Sequence, residues 1–468
     1  MRHHSGFDRR TLLKLGAGLA AGLTVRANAE EKPASLLLTD NDPHCVIRNA
    51  TVITMDPILG DNSQVDIEVR DGKIMAVGKN LSVQGAMLIN GTGKIVIPGL
   101  VDSHWHLWNS FLRNSSPSPQ GETFFKSQLK TSARFTPELS ALGVRMGLAE
   151  ALNAGITTVN NWSHNLRNPS FADAELKAMA ASGLRTRLWY GYAQDLAATA
   201  AMDFKDIQRV QATLTSEKTS AVSLGLAIRG PERTGPAIWQ QEFAFAKQQG
   251  LPISTHIAVT GEMQKKRAIQ QLAQQDLLNK SVQLVHATHA DEEDIKTIAQ
   301  SGASVCFTPL TEMRVGYGLA PVAAMHQANI PLALGIDTLV LSGNANPFMV
   351  MQTTLNLATG ITGNELALTA RDVLYWATQG GANMMGLGDQ LGSITPGKRA
   401  DLVLIDTQRL GMFPLTDPVA AVVQSATPSD VETVIADGKI LKYQGKLQHI
   451  DVAELAFEAQ RGYKQVIG

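Results

Sequence analysis

Residues 97–106 read IPGLVDSHWH, an apolar run that leads into two histidines. Such a run is typical of a short buried strand, and residues two apart on a strand point to the same face. His104 and His106 are therefore expected to project together, close enough to bind one ion. Ordinary core or surface histidines can show the same spacing, so the meaning of the pair depends on what the other strands supply.

The composition is that of a globular protein without a polyanion-binding surface. The chain has 468 residues, enough for one large domain and a smaller one. Its formal net charge of -1 offers no electrostatic attraction to nucleic acid, which we do not expect as a partner. Two cysteines, Cys45 and Cys306, are too few for a disulfide framework, and we expect both to be unpaired.

Residues 1–29 have the three regions of an export signal. Two arginines at positions 9 and 10 precede an apolar run over residues 15–25, and small residues at 27–29 offer a cleavage site. The twin arginines resemble those of a Tat-type signal peptide, which would make the Tat export machinery a partner. The apolar run is shorter than the roughly 20 residues of a membrane span, so we expect no stable membrane anchor. The expected location is periplasmic.

Short strands are predicted near both ends of the chain. Residues 30–96 and residues 389–468 each contain short apolar runs separated by turns, such as Asp71-Gly72 and Asp437-Gly438. Unpaired edge strands would promote aggregation. The two segments are therefore expected to pair with each other and to form one small β-sandwich domain.

Residues 97–388 alternate between strand-like runs and helix-length segments. Eight strands joined by helices fit an α/β fold, the (β/α)₈ TIM barrel, whose active sites lie at the carboxyl ends of the strands. The first expected strand begins at residue 95, two residues before this segment. The expected strands are 95–101, 157–160, 186–190, 222–228, 253–256, 282–285, 304–307 and 332–334.

Four of these strands lead into a possible metal ligand. His104 and His106 follow strand one, His256 ends strand five, His286 follows strand six and Asp337 follows strand eight. Because the carboxyl ends of barrel strands meet at one rim, these side chains are expected to converge. Imidazole and carboxylate groups are common zinc ligands, so the pattern predicts a metal site.

The chain resembles the amidohydrolase superfamily, in particular its cytosine deaminase and chlorohydrolase-like branch. The resemblance rests on residues 97–106 and on the segment LGSITPGKRADLVL at residues 391–404. It implies that the metal is bound by His104, His106, His256 and Asp337, while His286 contacts the attacking water or the substrate. One divalent ion is expected, zinc with iron as the alternative, because strand four has no lysine to bridge two ions.

The predicted chemistry is hydrolysis by a metal-activated water. A bound divalent ion lowers the pKa of water from about 15.7 toward 7. Asp337 is expected to accept the proton of that water, and His286 is expected to stabilise the tetrahedral centre or to help move the proton. The predicted function is cleavage of a carbon–nitrogen bond in a non-peptide amide, a urea or an aminated heterocycle.

Two positions depart from the pattern of the branch. A glutamate that protonates the leaving nitrogen usually stands three residues after the strand-five histidine, where this chain has Val259. A Pro-His-x-Pro-Tyr-like segment usually follows strand four, where this chain has IRGPER at residues 228–233. Both departures weaken the case for ordinary deamination of an adenosine or cytosine ring.

Five further residues are candidates for contact with the substrate. Arg229 replaces an expected pocket histidine and can bind a carboxylate or carbonyl through two parallel hydrogen bonds, or form a structural ion pair with Glu232. Glu312 is the candidate to replace the missing proton shuttle. The other candidates are His164, His289 and Trp108, with Trp105, Phe307 and Tyr317 as an apolar wall.

Two alternatives to carbon–nitrogen cleavage stay open. Displacement of chloride or a thiolate from an sp² carbon would explain Val259, since such groups leave without a proton. A non-catalytic, metal-containing binding protein would use the same pocket without turnover. The expected partner is a small-molecule substrate, and the resemblance also implies a homodimer.

Overall fold

The computed structural model describes residues 44–118, 120–216 and 221–468. The predicted signal peptide at residues 1–29 lies outside these ranges, and export to the periplasm stays a prediction. Among the described helices, none combines the length and the apolar character needed to cross a bilayer.

The described chain begins with five strands of one sheet. The first of them is central, because it runs antiparallel to the second along one edge and parallel to the fourth and fifth along the other. These strands are β1 (Cys45–Val52), β2 (Asn62–Arg70), β3 (Lys73–Gly78), β4 (Met87–Asn90) and β5 (Lys94–Pro98).

Eight parallel strands then form the barrel, each paired with the next in chain order. Almost all of their residues are buried, as expected for a parallel sheet covered by helices. The predicted (β/α)₈ barrel is confirmed. The strands are β6 (Leu100–Trp105), β7 (Ile156–Ser163), β8 (Arg185–Tyr190), β9 (Val222–Ala227), β10 (Ile253–Ile257), β11 (Val282–His286), β12 (Ser304–Phe307) and β13 (Leu332–Leu334).

The barrel closes where the chain after β13 meets β6. The backbone N–H of Asp337 donates to the carbonyl of His104 at 2.8 Å, and the carboxylate of Asp102 accepts from the N–H of Ile336 at 2.7 Å. Gly335 permits this approach, because a Cβ there would lie 2.7 Å from the carbonyl oxygen of His104. Two predicted metal ligands, His104 and Asp337, are thereby held together by a backbone hydrogen bond.

The predicted first strand, residues 95–101, is in fact split between two sheets. Ile97 and Pro98 belong to β5 in the terminal sheet, whereas Leu100 begins the barrel. The chain crosses at Gly99, where a Cβ would lie 2.1 Å from Oγ1 of Thr157. An apolar run does not reveal such a crossing, so the strand prediction was wrong here.

Four strands at the other end of the described chain complete the terminal sheet. The first of them runs antiparallel to β5, so the two chain ends pair as predicted. Strand pairing links all nine strands into one sheet rather than two separate layers. The four strands are β14 (Leu402–Asp406), β15 (Val431–Ala436), β16 (Lys439–Tyr443) and β17 (Lys446–Leu447).

Helices surround the barrel and connect its strands. Several start at Asn, Asp or Thr caps whose side chains accept a backbone N–H, for example Asp291 and Thr369. The described helices are α1 (Phe124–Ser132), α2 (Pro137–Asn153), α3 (Pro169–Ala181), α4 (Phe204–Ser216), α5 (Pro236–Gln249), α6 (Gly261–Gln264), α7 (Ala268–Gln274), α8 (Glu292–Ser301), α9 (Pro309–Val315), α10 (Val322–Gln327), α11 (Leu339–Ser342), α12 (Pro347–Thr362), α13 (Ala370–Tyr375), α14 (Gly381–Met384), α15 (Pro418–Gln424) and α16 (Val452–Ile467).

Candidate metal centre and active site

The four predicted metal ligands and the predicted catalytic residue His286 meet at the carboxyl end of the barrel. Nε2 of His104 lies 3.2 Å from Nε2 of His256 and 3.5 Å from Oδ1 of Asp337. Nε2 of His106 lies 3.3 Å from the same oxygen. The donor atoms of His104, His256 and His286 also lie within 4.8 Å of one another. This is the spacing expected of side chains that share one ion.

His106 shows why the cluster suits a cation. Its Nδ1–H donates to the carbonyl of Trp162 at 2.7 Å, so Nε2 of the neutral ring carries a lone pair. Burial, assisted by His104, lowers the pKa of His106 to about 3, which keeps the ring neutral at pH 7. Its lone pair therefore faces a carboxylate oxygen of Asp337, a repulsion that a cation between them would turn into attraction. The residues present thus fit a divalent ion.

Asp337 is held in place as an ionised carboxylate. Burial alone would raise the pKa of Asp337, but the hydrogen bond to His104 lowers it. Oγ1 of Thr311 donates to Oδ2 at 2.7 Å, which leaves Oδ1 facing the histidines. Asp337 and His286 have φ of +66° and +72°. Such left-handed conformations cost about 1–3 kcal/mol each and are common at functional sites.

His286 is oriented by a buried carboxylate. Its Nδ1 lies 3.1 Å from Oε1 of Glu312, and the same oxygen accepts the N–H of Thr308 at 2.8 Å. Nδ1 therefore carries the proton, and Nε2 presents a lone pair toward His104 and His256. Glu312 does not line the cavity. Its predicted role as a proton shuttle to the leaving group is corrected to that of positioning His286.

A cavity of about 300 Å³ adjoins the cluster. A volume of this size suits a small molecule, and the lining combines metal-site residues with polar and apolar groups. The cluster contributes His106, His256, His286 and Asp337; the polar lining includes Gln128, His164, Tyr192, Gln194, Arg229 and Arg233; the apolar lining is Phe124, Phe125, Leu196, Ala198, Val315, Tyr317 and Leu341.

His164 lines the cavity as predicted, and Trp108 supports it from behind. Nε1 of Trp108 donates to Nδ1 of His164 at 3.2 Å. Nε2 of His164 then carries the proton, and the side-chain amide of Gln194, whose Nε2 lies 2.8 Å away, accepts it with its oxygen turned toward the ring. Trp108 is fully buried and does not line the cavity. Its predicted contact with substrate is therefore corrected to that of orienting His164.

Arg229 lines the cavity, but both Nη atoms of its guanidinium already donate to backbone carbonyls. These carbonyls belong to residues 196–200. Cζ of Arg229 lies 5.1 Å from the ring centroid of Tyr192. The nearest carboxylate is Glu242 at 3.8 Å, not Glu232, so the alternative ion pair is also wrong. Arg229 thus anchors a loop through its Nη atoms, and Nε is its one nitrogen without a partner among the described residues.

His289 and two aromatic candidates do not line the cavity. The imidazole of His289 is exposed and donates from Nε2 to the carbonyl of Tyr317 at 2.6 Å. Trp105 and Phe307 are fully buried in the core. Of the predicted apolar wall, Tyr317 is the member that lines the cavity.

The sequence analysis missed several cavity residues. Nη1 of Arg233 donates to the carbonyl of His256 at 2.7 Å, and its partly exposed guanidinium is a cation of the cavity lining. Tyr192 and Gln194 directly follow β8, so inspection of the third strand end would have found them. The aromatic residues at the start of α1 follow no strand end, and no local pattern marks them.

A cluster of histidines and an aspartate at the carboxyl rim of a (β/α)₈ barrel defines a metal-dependent hydrolase. The chain belongs to the amidohydrolase family, whose model matches residues 95–441. It is a hydrolase of carbon–nitrogen bonds other than peptide bonds, and its site suits a divalent metal.

Similar proteins include two groups of deaminases. The chain is 27% identical over 431 residues to a 5′-deoxyadenosine deaminase of Methanosarcina mazei, covering 90% of this chain and 98% of the relative. It is 25% identical over 430 residues to a 5-methylthioadenosine/S-adenosylhomocysteine deaminase of Syntrophomonas wolfei, covering 89% and 98%.

Two solved structures share the fold. An adenosine deaminase from Xanthomonas campestris with bound zinc superposes with a TM-score of 0.81 at 24% identity, covering 91% of this chain and 99% of that one. A mutant atrazine chlorohydrolase from Arthrobacter aurescens with zinc and atraton gives 0.78 at 23% identity, covering 90% and 100%.

The metal-free protein is expected to lose stability as the pH falls below 6.5. Burial lowers the pKa of His104, His106, His164 and His256 in the folded state, whereas unfolded histidine titrates near 6.5. Below that pH the unfolded chain binds more protons. The free energy of unfolding of the metal-free protein therefore falls by about 1.4 kcal/mol per pH unit for each such histidine.

Calorimetry of the metal-free protein at pH 7.5, 6.5 and 5.5 measures this slope. The loss of stability that is due to His106 continues until the pH reaches the folded-state pKa of this residue, about 3. A His106→Gln variant is the matched control, because it removes one of the four titrating groups and should show a shallower slope. Equal stability of the wild-type protein at all three pH values would contradict the prediction.

Proposed function

We propose that this protein is a zinc-dependent hydrolase that cleaves the carbon–nitrogen bond of a small amide or urea. The observation that carries the proposal is the lone pair of His106 facing Oδ1 of Asp337 beside a cavity of about 300 Å³. Zinc is supported by a donor set of imidazole nitrogens and a carboxylate oxygen. When bound, the ion supplies an activated water and polarises the bond to be cleaved.

Side chains of the site carry out the proton transfers. Oδ1 of Asp337 accepts the proton of the attacking water, while Thr311 holds the other carboxylate oxygen. Nε2 of His286 carries a lone pair and faces the same space, so it is a second place where that proton can rest. The proton then passes to the leaving nitrogen, which departs as a neutral amine or ammonia.

The cavity lining favours an amide or urea over an aminated ring. Asp337 is the one acidic side chain among the described residues that line the cavity, and Val259 is buried away from it. An amide nitrogen becomes basic once a tetrahedral centre forms, so one proton carrier is sufficient. Attack on an aromatic ring also requires protonation of a ring nitrogen, for which the described cavity lining offers no second carboxyl group.

A substrate panel tests the proposal. Zinc-loaded protein is incubated with aryl amides, phenylureas, aminotriazines, a chlorotriazine and 5′-deoxyadenosine, and release of amine, ammonia or chloride is measured. We expect turnover of an amide or urea that is lost on chelation and restored by zinc, with little release of ammonia from 5′-deoxyadenosine. A Val259→Glu variant provides the matched comparison for the ring substrates.

Each other outcome identifies an alternative. If chloride were the only product released, the reaction would be displacement of a leaving group that needs no proton, and the proposal would be rejected. A rise in melting temperature with some member of the panel, without any turnover, would identify a binding protein. Efficient deamination of 5′-deoxyadenosine by the wild-type protein would show that a group other than residue 259 supplies the second proton.

A further inference from the structure

We propose that the substrate carries an aryl group, which binds at an aromatic rim formed by Phe124, Phe125, Val315 and Tyr317. This inference rests on the proposed function for the hydrolysable end of the substrate. It adds that the other end of the substrate is an aryl group. All four residues line the same cavity as the metal cluster. The occupant of the rim is therefore continuous with whatever reacts at the cluster.

The cavity lining separates into a polar part and an apolar part. The polar part includes His164, Gln194 and Arg233, together with the side chains of the cluster. The apolar part is provided mainly by the start of α1 and by the end of α9 with the residues that follow it. A ligand that fills both parts must have a polar, hydrolysable end and an apolar end.

The geometry of the rim favours a planar group. The rings of Phe125 and Tyr317 are nearly parallel, with an interplanar angle of 27° and centroids 6.2 Å apart. The ring of Tyr317 also lies 5.3 Å from the ring of His286. Aromatic residues therefore run from the metal cluster to the rim, and an aryl group can stack along them.

Phe125 is exposed although it stands beside a cavity. Its relative exposure is 57%, and Leu129, one turn further along α1, has an exposure of 50%. Exposed apolar clusters of this kind mark binding sites more often than scattered single residues do. The buried amide of Gln128 lines the cavity next to them, and its Nε2 has no hydrogen-bond partner among the described residues. That amide can donate to an acceptor atom on the aryl end.

Both sides of the rim are anchored, so the site is largely formed before binding. The carbonyl of Tyr317 accepts from Nε2 of His289 at 2.6 Å, and its N–H donates to the carbonyl of Glu312 at 2.9 Å. At the end of α1, the carbonyl of Ser132 accepts from Nδ2 of Asn165 at 3.1 Å. A preformed site loses less conformational entropy on binding, which supports recognition of a specific group.

A Phe125→Ala variant tests the rim, with Phe457→Ala as the matched control. Phe457 has an exposure of 69% on α16 and does not line the cavity. Zinc-loaded wild-type protein and both variants are titrated with N-phenyl-1-naphthylamine, an uncharged aryl probe, and fluorescence gives the Kd. We expect Phe125→Ala to raise the Kd about tenfold, which corresponds to about 1.4 kcal/mol, and Phe457→Ala to leave it unchanged.

The same three proteins are then compared on paired amides that differ in a phenyl or methyl group. For Phe125→Ala we expect the ratio of kcat/KM for phenyl over methyl to fall about tenfold. Equal probe affinity in all three proteins, or an unchanged ratio, would overturn the aryl assignment. Specific probe binding at the rim without turnover of any amide would support the rim while rejecting the proposed hydrolysis.

Discussion

Asp337→Asn is expected to lower kcat on the order of 10³-fold and to weaken binding of the metal. The carboxylate of Asp337 lies 3.3 and 3.5 Å from the Nε2 atoms of His106 and His104, and it is the group proposed to accept the proton of the attacking water. An amide of the same shape neither attracts a cation strongly nor accepts that proton. Elemental analysis and single-turnover kinetics measure both effects.

Asp206→Asn is the matched control for this substitution. Asp206 is also a buried aspartate, but it accepts a hydrogen bond from the hydroxyl of Tyr190 at 2.7 Å and does not line the cavity. Its variant should keep the metal and most of the activity. If Asp337→Asn retained full metal content and full kcat, both the ligand assignment and the proton-transfer role would be rejected.

Glu312→Gln is expected to lower kcat about 10- to 100-fold while KM and metal content change little. Oε1 of Glu312 accepts from Nδ1 of His286 and from the N–H of Thr308. A glutamine oxygen can keep both hydrogen bonds but lacks the negative charge beside Nδ1–H of His286. Because that charge acts on His286 and not on the cavity lining, the loss should fall on the chemical step rather than on binding.

Glu175→Gln separates this effect from the general cost of changing a buried glutamate. Glu175 is fully buried and accepts hydrogen bonds from Ser140, Asn161 and Ser163, outside the cavity lining. Its variant should change the melting temperature more than kcat. Equal kcat in Glu312→Gln and the wild-type protein would show that the carboxylate does not act through His286.

The metal cluster could be predicted from the sequence because each ligand lies at or near the carboxyl end of an apolar strand. His256, His286 and Asp337 stand at or next to strand ends, and a barrel brings strand ends together whatever the intervening loops do. The pairing of the two chain ends followed from the same alternation of apolar residues and turns. Both predictions depended on local pattern and on the general geometry of the fold.

The residues around the cluster were harder to predict, because their roles depend on side-chain partners distant in sequence. The Nη atoms of Arg229 donate to carbonyls of residues 196–200, and Glu312 on α9 reaches Nδ1 of His286 at the end of β11. Phe125 reaches the cavity from a connection well beyond the end of β6. No periodicity in the sequence encodes these contacts, which arise from the packing of the loops.

The pairing of β5 with β14 has a consequence for the order of folding. β5 ends at Pro98, whereas β14 begins at Leu402, so the partner of this strand is synthesised only after the whole barrel. Contacts between such distant segments form slowly, and an unpaired strand edge invites association with other chains. A nascent or truncated chain is therefore exposed to aggregation until its final segment docks, and complete synthesis becomes a condition for a stable enzyme.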